Sequence, residues 1–158
     1  MKRTVKKGII QNIYGLLDKA KSDKCDSAAR RAVFSAMYPM KSVAEGVADY
    51  HQEAAKRLQP ANYNDIVAVI NEFNGMNPHQ REDAIKQPKY MDALRANFDF
   101  NKELEKCMAD VLAEDTEIDF APLTDEVFDA LCDSNPDWTL GQCMELQTVL
   151  CGDNKGEE

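Results

Sequence analysis

Apolar residues recur along the chain at Ala29, Val33, Ala36, Met40, Val43, Val47, Tyr50 and Ala54. The steps alternate four and three residues, which places all eight on one stripe of a helix. The stripe predicts a helix over 26–58, about 50 Å long at about 1.5 Å of rise per residue. Asp26 is suited to cap its start. Pro39 removes a hydrogen bond to the Ser35 carbonyl, yet the apolar register passes through it without a slip. A kinked but continuous helix is therefore expected, ending before Pro60. The length demands that other segments or a partner cover the stripe, and Val43 and Val47 are expected to be buried.

The same periodicity runs through Val5, Ile9, Ile13, Leu16 and Ala20, with Ile10 and Leu17 widening the face. It predicts a first helix over 4–21, joined by a short polar turn at 22–25 to the long one as an antiparallel hairpin. Gly8 and Gly15 weaken that helix and leave room for a close neighbour. Asn62 can cap a third helix carrying Ile66, Val67, Val69, Ile70 and Phe73, with Asn74-Gly75 as its stop. Asn77-Pro78 reads as cap and first helical residue of a short polar helix. Pro88 opens another helix to about Ala113, with Met91, Leu94, Phe98, Leu104, Met108 and Val111 as its apolar stripe. Asn101 interrupts that stripe, so a break is expected near Asp99. Ile118 and Phe120 alternate with acidic residues, as an edge strand or extended crossing does. Thr124 caps a short helix with Val127, Phe128 and Leu131 inside. Thr139 and Gln142 form a capping-box pair for a last helix with Leu140, Cys143, Leu146 and Leu150 inside.

The pattern gives an all-α chain. It is a helical bundle built on a long N-terminal antiparallel helical hairpin, with a small C-terminal helical hairpin. Residues 1–152 are expected to form one helical domain: the long hairpin at 1–60, further helices at 61–113 and the C-terminal hairpin at 123–152. Residues 153–158 read as a disordered tail. The chain of 158 residues, 44% hydrophobic and 30% charged, can bury such a core unaided.

Charge changes the picture in one respect. Residues 1–60 carry 12 basic and 6 acidic side chains, whereas residues 61–158 carry 7 basic and 22 acidic. The halves can attract each other within the fold or head to tail between copies. The net charge of −9 argues against general nucleic-acid binding. Lys2, Arg3, Lys6 and Lys7 read as a solvated helix start rather than a membrane or nucleic-acid contact. No secretory signal or spanning segment is expected. The five cysteines lack a C-x-x-C pair, which points to free thiols and a cytoplasmic location.

Candidate chemistry is sparse. The C-terminal hairpin invites comparison with a DNA-binding helix-turn-helix, but residues 107–154 contain no Lys or Arg and residues 110–137 hold ten acidic side chains. Asp133-Ser134-Asn135-Pro136-Asp137 opens like a calcium loop, yet Trp138 stands where such a loop needs Gly and Met144 where it needs a bidentate Glu. It reads as an ordinary turn. His51 and His79 lie in no ligand spacing. Cys143 and Cys151 read as small packing residues. No nucleophile elbow or phosphate loop occurs. No catalytic, cofactor-binding or metal-ligating residue is assigned.

Lys41-Ser42-Val43-Ala44-Glu45, Glu117-Ile118-Asp119-Phe120 ahead of Leu123-Thr124, and Ser134-Asn135 leading to Trp138-Thr139 carry a resemblance. With the helical hairpin, these short patches resemble uncharacterised small helical proteins of Bacteroidetes prophages and mobile elements. The present chain has more cysteines and a more acidic second half than that group. The resemblance implies a phage-related accessory, assembly or structural role and carries over no functional residue. The expectation is a non-enzymatic, cytoplasmic or phage-associated interaction protein. It binds a protein partner or itself, uses no cofactor, and contacts neither nucleic acid nor membrane. The alternative is a small-molecule or metal-binding protein, or an enzyme, whose site forms only in the fold.

Overall fold

A computed structural model describes residues 1–152; the stretch 153–158, expected to be a disordered tail, lies outside the described residues. The order of elements is β1 (Lys2–Lys6), α1 (Lys7–Asp18), α2 (Ser27–Leu58), α3 (Tyr63–Asn74), α4 (Pro78–Ala84), α5 (Pro88–Leu112), β2 (Asp115–Asp119), α6 (Asp125–Ser134) and α7 (Leu140–Leu150). The described residues are mostly helical, as expected, with one small antiparallel sheet among them. Two compact units are distinguishable. One comprises Met1–Ala48 with the described residues from Val111 onward, and the other is Asp49–Asp110.

The sheet corrects the expectation of a helix from residue 4. Residues 2–6 form a strand, and the helix begins only at Lys7 and ends at Asp18. β1 pairs with β2 so that Lys2 faces Asp119, Thr4 faces Glu117 and Lys6 faces Asp115. Opposite charges in register stabilise a sheet face, and Lys6 and Asp115 approach to 3.6 Å. The other face of the ribbon carries Arg3, Val5 and the buried Ile118. Lys2 and Lys6 are thus not part of a solvated helix start but the complement of an acidic strand. Helical periodicity conceals this because Val5 lies in register with Ile9 and Ile13, while the strand owes its existence to a partner far along the chain. Gly8 permits the junction: a Cβ there would stand 3.1 Å from both Cβ and the carbonyl oxygen of Leu112.

In this first unit one core gathers Ile10, Ile13 and Leu17 of α1, Ala29, Val33, Ala36 and Met40 of α2, Ile118 and Phe120, and Leu131, Leu146 and Leu150 of the C-terminal helices. α2 continues through Pro39. Its predicted stripe is buried at six of eight positions, with Val43 and Tyr50 half-buried. The Asp26 carboxylate accepts the Ala29 amide at 2.7 Å, and Thr124 and Thr139 cap α6 and α7 as expected, Thr139 with the full capping box. Arg3 closes the other end of α7. Its guanidinium lies 5.3 Å from the centre of the Phe120 ring and donates to the carbonyls of Thr148 and Val149. A cation is favourable at a helix C-terminus. Gly152 follows with φ +81°, and any Cβ there would collide with the Arg3 guanidinium. α7 departs from expectation at its start: Leu140 is 84% exposed, and the buried face is Leu146, Val149 and Leu150.

In the unit Asp49–Asp110, Asn62 precedes α3 but makes no side-chain cap, whereas Asn77 and Gln80 build a complete capping box on α4. Gly75 ends α3 in a right-handed conformation, without the left-handed turn a C-terminal glycine often supplies. α5 has no break at Asp99. Its inward face is Tyr90, Ala93 and Phe100, while Met91 and Phe98 point outward at 41% and 65% exposure. Aromatic contacts decide that rotation: Phe100 packs on Tyr63 with ring centres 5.3 Å apart, and Tyr90 packs on Phe73. Asn101 is exposed, so its polarity interrupts nothing.

Candidate functional site

α2 presents a second line of apolar side chains, away from its core stripe. Phe34 is 57% exposed and Tyr38 is 75% exposed. They stand one turn apart and, with Tyr14, Met37 and Lys41, line a hollow of about 130 Å³. A neighbouring hollow of about 230 Å³ shares Phe34 and Met37 and is walled by Leu17, Lys21, Arg30 and Leu131. Large aromatics exposed on a turn-by-turn line mark a binding face more often than an isolated surface residue does. On α2 the surroundings are basic, since residues 27–44 contain Arg30, Arg31 and Lys41 and no acidic side chain; Asp18 of α1 also lines the second hollow. The sequence signal is an aromatic pair four residues apart and off the main stripe, which attention to that stripe alone passes over.

α7 exposes a second apolar pair, Leu140 and Met144, at 84% and 69%. Every charged side chain in residues 123–152 is acidic: Asp125, Glu126, Asp129, Asp133, Asp137 and Glu145.

A third feature is a polar cleft of about 610 Å³ whose walls include Gln11, Asn12, Lys19, Lys21, Asp137, Trp138, Gln142 and Glu145. Gly15 also borders this cleft, and a Cβ there would meet nothing within 4 Å. The gap left by this glycine therefore faces open space, whereas Gly8 accommodates Leu112.

The turn weighed as a calcium loop is engaged in structure. Ser134 Oγ accepts the Lys24 amide and donates to the Ala130 carbonyl. Asn135 Oδ1 accepts the Lys21 amide at 2.8 Å, while its Nδ2 donates to the carbonyls of Lys21 and Leu131. These side chains tie the α1–α2 connection to the end of α6. Both histidines are exposed, and among the described residues no three His, Cys, Asp or Glu side chains form a group able to hold a metal ion.

Two of the thiols, Cys132 and Cys151, are poorly disposed to chemistry. Burial, followed by the neighbouring Cys143 thiol, pushes the Cys132 pKa up to about 12. Burial and then Asp125 raise that of Cys151. Only the thiolate attacks electrophiles, so iodoacetamide at pH 8 is expected to label Cys107 well before Cys132 and Cys151. Peptide mass mapping over time checks this, and Cys132 labelling first would contradict the assignment. In the other unit Glu72 accepts from Tyr90 Oη at 2.7 Å and Lys89 Nζ at 2.9 Å. The Lys89 bond, then the Tyr90 bond, lowers the Glu72 pKa, and Glu72 in turn raises Lys89 and Tyr90. A tyrosine made less acidic and a lysine made more basic brace α3 against α5; neither is tuned as a general base near neutrality.

No family model, curated protein or solved structure matches this chain. Among the described residues no helix is long and apolar enough to cross a membrane.

Proposed function

We propose that this chain is a non-enzymatic helical interaction or assembly protein that binds a protein through the aromatic line of α2. The carrying observation is the exposure of Phe34 and Tyr38 beside a preformed hollow. A solvent-exposed tyrosine and phenylalanine on a rigid helix supply contact area at small entropic cost, the chemistry of binding hot spots. The surface rests on the antiparallel hairpin of α1 and α2. In support of that hairpin, Tyr14 shares a hollow with Met37 and Tyr38, while Leu17 and Lys21 share one with Arg30 and Val33. A cytoplasmic, phage-related accessory role accords with the prophage resemblance, and the acidic C-terminal hairpin speaks against nucleic acid as the partner.

A photocrosslinking residue at position 38 is expected to give a protein adduct in cells, and the same residue at exposed Ser35 is expected to give far less. Equal or absent adducts at both positions would remove the proposal.

The polar cleft favours a second reading, a small-molecule site. Trp138 offers a flat wall, and Lys19, Lys21, Asp137 and Glu145 offer both signs of charge. Its walls at Asn12, Lys19 and Asp137 are solvent-exposed, so a ligand there sheds little water, unlike in the enclosed pockets that bind drug-sized molecules. Trp138 is the single tryptophan, so its emission reports the cleft directly. Titration with nucleotide, amino-acid and sugar-phosphate pools is expected to leave it unchanged, and a saturable shift would transfer the assignment to the cleft.

A further inference from the structure

The first unit carries two exposed apolar patches of opposite electrostatic setting. One is Phe34 and Tyr38 among Arg30, Arg31 and Lys41; the other is Leu140 and Met144 on a segment whose only charges are acidic. We propose that the partner of the α2 surface is a second copy of this chain, whose α7 lays Leu140 and Met144 against Phe34 and Tyr38. This rests on the interaction proposed above and names its partner.

Three features carry the pairing. The α7 patch is convex and aliphatic, two side chains one turn apart on a helix face, and the α2 patch has the same one-turn spacing. The hollow bordered by Tyr14, Phe34 and Tyr38 is about 130 Å³ and open to solvent, room for the end of one side chain. Met144 suits that place because a thioether packs favourably against aromatic rings. Asp137 and Glu145, before and beside the α7 patch, meet the cations that flank the aromatic line. Lys2 and Lys6 of β1 do not compete, since they face the acidic β2 within the chain, and Arg3 is held by the carbonyls that end α7. Complementary potentials of this kind set the register and speed the encounter more than they add affinity.

The two surfaces are different parts of one chain, so the contact is heterologous: each copy offers a groove to one neighbour and a helix to another. Such contacts build rings or open filaments.

Light scattering on the full chain over a wide concentration range is expected to show mass growing beyond 17.8 kDa. Tyr38→Glu and Met144→Glu are each expected to weaken the association by about 30-fold or more, as loss of a hot spot does, with helicity unchanged because both positions are exposed. Mixed together, the two variants retain one intact groove and one intact α7 between them. They are expected to combine into a 1:1 dimer that grows no further. A chain that stays monomeric at every concentration, or variants that fail to complement, would overturn the head-to-tail pairing. In that case a position-38 crosslink to a protein of another mass would leave the interaction proposal standing, whereas no crosslink would remove both.

Discussion

Val47→Asp is expected to abolish the folded state, whereas Ser42→Asp is expected to change stability by no more than about 0.5 kcal/mol. Val47 is 2% exposed within a single chain, and Ser42 is exposed on the same helix. A carboxylate at position 47 loses its water without gaining a partner, at a cost of several kcal/mol or enough to protonate it. Domains of this size are stable by only ~5–15 kcal/mol, so the deficit consumes most of that margin. The burial is intramolecular, so loss of helicity by circular dichroism is expected, not mere dissociation of an assembly. An aspartate variant that melts cooperatively at the parent temperature would show that position 47 is not held in a dry interior.

Asn135→Ala is the second large effect, expected to lower the unfolding free energy by about 2–3 kcal/mol. The Asn135 side chain makes three bonds, two of them to the backbone of Lys21 across 114 positions of sequence. Truncation strands a donor and two acceptors, and a buried polar group left unpaired costs ~1–3 kcal/mol. The two Lys21 groups are partly buried, so water recovers some of the loss. Asn135→Asp separates hydrogen bonding from shape. Aspartate keeps the acceptor for the Lys21 amide but turns a carboxylate towards the carbonyls of Lys21 and Leu131, so it too is expected to destabilise. Urea unfolding of the two variants reads the difference, and an aspartate variant as stable as the parent would mean that Asn135 acts by size alone.

Features set by nearest neighbours were legible in the sequence. The α2 stripe, the caps at Asp26, Asn77, Thr124 and Thr139, and the helix start at Pro88 all follow from interactions within a few residues. Features decided by distant partners were not. The rotation of α5 depends on Tyr63 and Phe73 receiving Phe100 and Tyr90, and both faces of that helix carry apolar residues. Leu140 sits at helical spacing from Cys143, and only packing of Leu146, Val149 and Leu150 turns it outward. Asn135 looks like any turn residue until Lys21 lies beside it. The boundaries at 48/49 and 110/111 fall inside α2 and α5, where no glycine- or proline-rich linker marks them. Of the candidate surface, the basic character of the first sixty residues was visible, but the exposure of Phe34 and Tyr38 was not, because aromatic residues beside an apolar stripe usually join the core.

The pairing of Lys6 with Asp115 has a consequence during synthesis. About 110 residues must be added after β1 before its partner exists, on the order of 5–20 s at roughly 5–20 residues per second. Throughout that interval residues 2–6 lack their partner, and a segment left unpaired in this way can join other chains. Lys2, Arg3 and Lys6, with Lys7 just after them, give this segment a positive charge that repels its own kind on neighbouring ribosomes, and Lys2 and Lys6 meet their acidic partners only when β2 is made. Like charge of this kind disfavours premature strand pairing between nascent chains.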